Sequence, residues 1–223
     1  MPEIPDVPGP RRLPPRPAAA KRTRPPLPPP PPRTPARWEW ELTPRTSVGP
    51  LDFGMRFADV VHALPDMPEP RLFPAADPRF PALLGVEFGT APQAPTLRAY
   101  FDDDQLLCVA VDAARGPQVT LFGRELTGCV PADLERFLTL AHAHEVIDLT
   151  YGPHATPASP TLGLVLRTQH TTPGTLRTRP VMVSATWPTH PAAAPTTLIP
   201  TPEWPGPPWP SPEDRLPPPQ ARG

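Results

Sequence analysis

Proline is the residue that most limits how this chain can fold. Of its 45 prolines, 15 fall in residues 1–37 and 13 in residues 188–223, which leaves 17 for the 150 residues between them. Proline-dense segments bury too little apolar surface to offset the entropy lost on ordering. The sequence therefore predicts one folded domain over residues 38–187, flanked by disordered tails at 1–37 and 188–223.

Two amphipathic helices are predicted in this domain. The first follows Gly54, ends at Pro65 and places apolar residues at helical spacing: Phe57, Val60, Val61 and Leu64. The second begins at Pro131, which suits the first helical position, and has its own apolar stripe: Leu134, Phe137, Leu138 and Ala141. Each stripe predicts a helix that covers one face of a sheet.

Alternating and apolar runs between turn residues predict the strands of that sheet. These runs are residues 38–42, 48–53, 83–88, 97–101, 105–111, 118–122, 146–151, 162–167 and 181–186. Asp102, Asp103 and Asp104 predict a hairpin turn, because no glycine or glutamate completes a calcium loop. The predicted fold class is α+β, an antiparallel sheet of about 7–9 strands with two helices packed on one face.

The order of strand, helix and three strands occurs twice, which suggests a tandem pseudo-repeat over residues 48–113 and 117–187. A family likeness rests on Gly54-Met55 with Val60 and Leu64, followed by a β-meander that contains Phe101-Asp102. This pattern resembles the tandem beta-lactamase inhibitory proteins and the small barrel-assembly lipoproteins. The resemblance implies a binding protein whose sheet face grips another protein. The chain departs from both families because it lacks their secretion or lipoprotein signal.

The N-terminal tail is basic and rich in polyproline. Residues 1–37 hold eight basic side chains against Glu3 and Asp6, but no aromatic residue lies among them to stack on bases. We therefore expect a solvated arm and no nucleic-acid partner. Within it, Arg22, Pro25 and Pro28 match one polyproline ligand pattern, and Pro28, Pro31 and Arg33 match its reverse. Such patterns also arise by default in a run of prolines, so both interpretations stay open.

The C-terminal tail contains Trp204 and Trp209 in a proline-rich context. Either these tryptophans fold back onto the domain or they form an exposed motif for a protein partner. Both alternatives stay open, and we include the two residues among the predicted protein-binding positions.

A catalytic or metal site is not indicated by any complete motif. The sequence has no Gly-x-Ser-x-Gly elbow, no dinucleotide or phosphate loop, and two cysteines without metal spacing, Cys108 and Cys129. His142 and His144 lie near a helix C-terminus, where histidine favours the dipole. With His154 or His170 as a further ligand they support the alternative of a metal-dependent hydrolase.

The leading hypothesis is a non-enzymatic protein-binding module, of the immunity or inhibitor type, with one protein partner, no cofactor and no inferred small-molecule substrate. No signal peptide and no apolar run of 18 residues is present, so we expect a cytoplasmic protein without membrane contact. A single lysine, no asparagine and abundant arginine, alanine and proline favour a GC-rich, actinobacterial source.

Overall fold

The computed structural model describes residues 37–89, 96–172, 174–187 and 198–210. The predicted polyproline ligand at Arg22, Pro25, Pro28 and Arg33 lies outside these residues, and so does most of the predicted C-terminal tail. Within the described ranges, no helix is long and apolar enough to cross a membrane.

The fold is α+β, as predicted. In the described residues the α-helices are α1 (Phe57–Ala63) and α2 (Pro131–Ala143), and short 3-10 helices occur at Pro153–Ala155 and Thr201–Glu203. The strands are β1 (Glu39–Thr43), β2 (Ser47–Val48), β3 (Leu51–Asp52), β4 (Arg71–Pro74), β5 (Leu84–Phe88), β6 (Leu97–Asp102), β7 (Gln105–Val111), β8 (Gln118–Leu121), β9 (Arg124–Glu125), β10 (Thr150–Tyr151), β11 (Pro157–Ser159), β12 (Leu164–Thr172) and β13 (Thr175–Val183).

These strands form two sheets. The larger has eight strands in the order β10-β11-β12-β13-β7-β6-β5-β4, and all its pairs are antiparallel. The smaller has the order β3-β2-β1-β8-β9, in which β1 and β8 run parallel. The large sheet consists of two four-stranded meanders that meet where β7 pairs with β13. Each meander follows one helix in the chain.

Both helices pack on the same face of the large sheet, which we call the helix face. Val60 of α1 and Leu134 of α2 are fully buried in one apolar cluster with Phe101 of β6 and Leu166 of β12. The small sheet contributes residues such as Val119 to the same cluster. The amphipathic stripes of the sequence thus predicted the buried sides of the helices.

The predicted aspartate hairpin joins β6 to β7 and also supports α1. Asp103 and Asp104 have φ values of 47° and 58°, a left-handed conformation that aspartate tolerates in turns. The Asp104 carboxylate accepts a hydrogen bond of 3.1 Å from the backbone N–H of Phe57, at the first position of α1. One of the otherwise unpaired N–H groups at the helix start is therefore satisfied by the hairpin.

Several local predictions differ from the structure. Residues 48–53, expected to be one strand, contain the end of β2, a turn and the short strand β3. The turn needs Gly49, because a Cβ there would lie 2.3 Å from Trp40 Cγ. Strand β4 falls in a stretch predicted to be a loop. Residues 146–151 form only the two-residue strand β10, because the backbone N–H of Val146 still donates to Ala141 of α2.

Candidate functional site

The second face of the large sheet is covered by part of the predicted C-terminal tail. We call residues 198–210 the C-terminal strap and the sheet face beneath it the strap face. Ile199 is fully buried there in an apolar cluster with Tyr100, Cys108 and Val181. The strap lies on the domain through buried charges and hydrogen bonds as well as apolar contact, and these polar contacts make it the candidate site.

A row of arginines crosses the strap face. Residues that are paired across an antiparallel sheet point to the same side, and the pairs Arg71–Glu87, Glu87–Arg98 and Arg167–Arg179 define the row. Arg98 and Arg179 stand on either side of β7, each one strand away from it. The row thus brings four guanidinium groups onto one face. Glu87 is the carboxylate that the sheet itself contributes to this row.

Glu203 of the strap provides the main counter-charge. Its side chain is fully buried, and its carboxylate accepts hydrogen bonds from the Tyr100 hydroxyl and from Nη2 of Arg179. Nη1 of Arg98 lies 3.6 Å from the same carboxylate. A buried carboxylate held by two guanidinium groups and a phenol is a specific recognition site for an acidic side chain.

Burial changes the acidity of the groups around Glu203. Desolvation raises the pKa of Tyr100 well above its usual range, so the phenol remains a hydrogen-bond donor. Desolvation, together with the neighbouring cation of Arg98, lowers the pKa of Arg179 to about 10. Arg179 is still protonated at neutral pH, so its pair with Glu203 is ionic.

Arg167 is buried without a carboxylate partner among the described residues. It is 1% exposed, and its Nη1 donates 2.9 Å to the Thr156 hydroxyl while Nη2 donates to the backbone carbonyl of Trp204. Its guanidinium carbon lies 5.3 Å from the centre of the Trp204 ring, a cation–π contact. Burial lowers the pKa of Arg167, and its Nε has no hydrogen-bond partner within the part of the chain that the structure describes. The strap therefore meets a desolvated cation here.

Asp77 anchors the start of the strap. Its carboxylate accepts hydrogen bonds from the backbone N–H (3.0 Å) and the hydroxyl (3.2 Å) of Thr201, and Nη2 of Arg79 donates to it at 2.8 Å. Burial is the largest influence on the pKa of Asp77 and raises it, but the hydrogen bonds from Arg79 and Thr201 together hold that pKa below its ordinary value. The carboxylate is therefore ionised in the strap-bound state.

The end of the strap reaches the other side of the domain. The Thr168 hydroxyl donates to the carbonyl of Pro207 at 2.9 Å. Beyond it, Trp209 is 4% exposed and belongs to the apolar cluster of the helix face. Its indole N–H donates 2.7 Å to the carboxylate of Glu135 on α2. The strap is thus fixed at both of its ends.

The structure places both C-terminal tryptophans against the domain, as in the first of the two alternatives left open by the sequence. Trp209 is buried in the core, and Trp204 is half-buried on Arg167. The prediction that they bind a protein partner is untested, and any such role requires the strap to move.

The histidines named for a metal-dependent hydrolase are not brought together. Nδ1 of His142 lies 3.0 Å from the carbonyl of Ile147, a contact between the end of α2 and the loop that follows it. No group of three histidine, cysteine, aspartate or glutamate side chains suited to a metal ion occurs in the parts of the chain that the structure describes. No specific observation therefore favours the hydrolase alternative.

The arginine row and Glu203 are the site residues that sequence reasoning missed. In Leu97-Arg98-Ala99 and Leu166-Arg167-Thr168 the arginines alternate with smaller or apolar residues, a pattern typical of a solvated strand face. The available signal was the combination of arginines on several neighbouring strands with a glutamate beside a tryptophan in the tail.

Comparisons with protein-family profiles, curated proteins and solved structures gave no match to this chain. The role of the strap face therefore has to be inferred from its own contacts.

Proposed function

We propose that this chain is a non-enzymatic protein-binding module, of the immunity or inhibitor type, that binds its partner through the strap face. In this proposal the partner presents a segment with a carboxylate, a neighbouring aromatic ring and prolines. Such a segment takes the place of the C-terminal strap. We expect this to occur in the cytoplasm.

The observation that carries the proposal is the way in which the strap face holds Glu203. Two guanidinium groups and a phenol converge on one carboxylate, and Arg167 meets the ring and carbonyl of the next residue, Trp204. The sheet therefore contacts the side chains of a segment that forms a short 3-10 turn at Thr201–Glu203. This kind of pocket-by-pocket reading gives specificity in peptide recognition.

Because charged groups hold the strap on the sheet, another acidic segment can replace it, whereas a segment of an apolar core is not replaced in this way. Buried ion pairs contribute little net stability, because desolvation offsets their attraction. A partner that offers an equivalent carboxylate therefore loses little by replacing Glu203. The competing strap is tethered to the domain and has an effective concentration in the millimolar range, so a partner needs further contacts beyond the strap face to displace it.

The test is a capture experiment with lysate of the source organism. The baits are the full chain, a chain that ends at residue 197, and that shorter chain with Arg179→Gln. The matched control is the shorter chain with Arg136→Gln, because Arg136 lies on α2 with a side chain that is 73% exposed and far from the arginine row in sequence.

We expect the shorter chain to retain one stoichiometric partner at least tenfold more strongly than the full chain. Arg179→Gln should abolish this retention and Arg136→Gln should not. Full-length Glu203→Gln, which keeps every backbone segment, should capture the same partner if the shorter chain fails to fold. Equal capture by the Arg179→Gln chain would place the binding surface elsewhere, and the absence of any partner on all baits would contradict the proposed function.

A further inference from the structure

A solvent-open cleft lies beside the strap, between its residues 205–207 and the central strands of the large sheet. Its volume is about 210 Å³. Arg98, Arg115 and Arg179 line it together with Asp112. We propose that this cleft binds a small oxyanion, a carboxylate or phosphate group, on its three arginines. The cleft exists with the strap in place, so this proposal does not depend on the protein-binding function.

The charges around the cleft leave an excess of positive charge. Among the described residues, four arginines line the cleft or lie directly behind it: Arg98, Arg115, Arg167 and Arg179. Three carboxylates face them: Glu87, Asp112 and Glu203. Buried or half-buried cations without counter-charges are costly, because desolvation removes their hydration. An anion in the cleft supplies the missing negative charge.

Unused donors of the arginines point to the same ligand. Within the described residues, Arg179 has Glu203 as its hydrogen-bond partner through Nη2, which leaves further N–H groups on a side chain that is only 11% exposed. Arg98 uses Nε on Glu87, at 2.9 Å, and Arg115 uses Nη2 on Asp112, at 3.4 Å. The planar guanidinium fork matches the paired oxygens of a carboxylate or phosphate.

Asp112 is the carboxylate in the lining of the cleft, and it offsets the charge of one of the three arginines. Its carboxylate accepts hydrogen bonds from Gln169 Nε2 at 2.7 Å and from the backbone N–H groups of Ala114 and Arg115 at 2.9 and 2.8 Å. Burial alone raises the pKa of Asp112, but these bonds outweigh it and hold the pKa below its ordinary value. The carboxylate is thus occupied mainly by the loop after β7 and helps to hold Arg115 at the cleft.

A desolvated cation behind the cleft adds to its positive potential. Gly206 forms part of the cleft wall, and a Cβ on it would lie 3.8 Å from Nη2 of Arg167. Arg167 therefore lies close behind the cleft wall and adds its charge to the positive potential there.

The size of the cleft limits the ligand. A volume of 210 Å³ corresponds to roughly seven waters at their share of liquid volume. Inorganic phosphate or a short dicarboxylate such as succinate fits this space. Both probes share the oxyanion that the arginines recognise.

The test is isothermal titration calorimetry of the full chain with inorganic phosphate and, separately, with succinate, in a zwitterionic buffer at constant ionic strength. We expect saturable binding with one site for at least one probe, and a shift of the Gly206 backbone amide in an NMR spectrum at saturation. A tenfold preference for phosphate or for succinate identifies which of the two sources of the oxyanion the cleft accepts.

Arg115→Gln is the informative variant, because the Arg115 side chain is 45% exposed and is not part of the Glu203 contact. We expect it to weaken binding at least tenfold, while the exposed Arg136→Gln leaves binding unchanged. Arg115→Lys keeps the charge but loses the fork, and it gives the same comparison if Arg115→Gln does not fold. No saturable heat up to 10 mM of either probe, or equal affinity in the Arg115 variants, would overturn the proposal.

Discussion

The helix face of the large sheet is covered by two helices and a second sheet through leucine, valine and phenylalanine side chains, whereas the strap face is covered by the C-terminal strap, a short segment with one 3-10 turn. On the strap face the cover is held by Glu203 on two arginines, by Asp77 on Thr201 and by Arg167 on Trp204. Apolar burial contributes stability in proportion to area and is not specific to sequence. The polar cover contributes little net stability but selects its occupant.

The largest expected effect lies on the helix face. Leu134→Ala removes a fully buried side chain from the cluster between α2 and the sheet, and it should lower the free energy of unfolding by about 2–5 kcal/mol. Urea denaturation measures this change. Leu140→Ala on the same helix is the control, because Leu140 is 56% exposed and its loss should change the free energy by no more than about 0.5 kcal/mol.

The strap face should respond locally. Glu203→Gln keeps the shape of the side chain but removes the counter-charge of Arg179, which should weaken strap docking by about 1–3 kcal/mol. The strap can be released while the helix face stays packed, so the urea midpoint should move less than in Leu134→Ala. If the two variants shift the midpoint equally, the strap and the core unfold as one unit and the comparison fails.

Cys108 reports this release directly. It is fully buried in the cluster that contains Ile199 of the strap, and burial raises its pKa. In a Cys129→Ser background, Glu203→Gln should speed its modification by a thiol reagent about 5- to 150-fold, the factor that corresponds to 1–3 kcal/mol. Glu41→Gln, at an exposed position on β1, should leave the rate unchanged.

The smallest expected effect is a weakening of strap docking at acid pH. Because the pKa of Asp77 is lower in the strap-bound state than its ordinary value of 3.8, the released state binds more protons between the two values. The contribution of Asp77 to strap docking is therefore complete above about pH 3.8 and is lost as the pH falls through the lowered pKa. Hydrogen exchange of the Thr201 amide, which donates to Asp77, should accelerate over this range.

Asp77→Asn should remove that pH dependence, whereas Asp66→Asn, at an exposed position, should keep it. Asp112 also has a lowered pKa, but the Thr201 amide donates to Asp77 and reports on that carboxylate. An unchanged profile in Asp77→Asn would mean that another group controls the acid response.

The sequence predicted those parts of the fold in which one residue pattern has one physical solution. The stripe Val60 and Leu64 and the proline start of α2 determined the helices, and the three aspartates determined a hairpin. Strand β4 escaped prediction because proline-rich surroundings suggest a loop, although Arg71 and Leu72 pair with β5.

The site escaped prediction for a different reason. The alternation of residues along a strand shows which side chains share a face. It does not show whether water or another segment covers that face. Arg98 and Arg179 are therefore expected to be solvated from local pattern alone. Their burial depends on Glu203, which lies more than twenty residues beyond Arg179 in sequence, and no local rule connects the two.

The position of the strap along the chain gives newly made protein a different surface from mature protein. Every strand of the large sheet ends by Val183, whereas the strap is residues 198–210. At about 5–20 residues per second, synthesis of residues 188–210 takes on the order of 1–5 s, while hairpins form in microseconds. A nascent chain can therefore pair its sheet and present four uncovered arginines for seconds, an interval in which an acidic partner meets no intramolecular competitor.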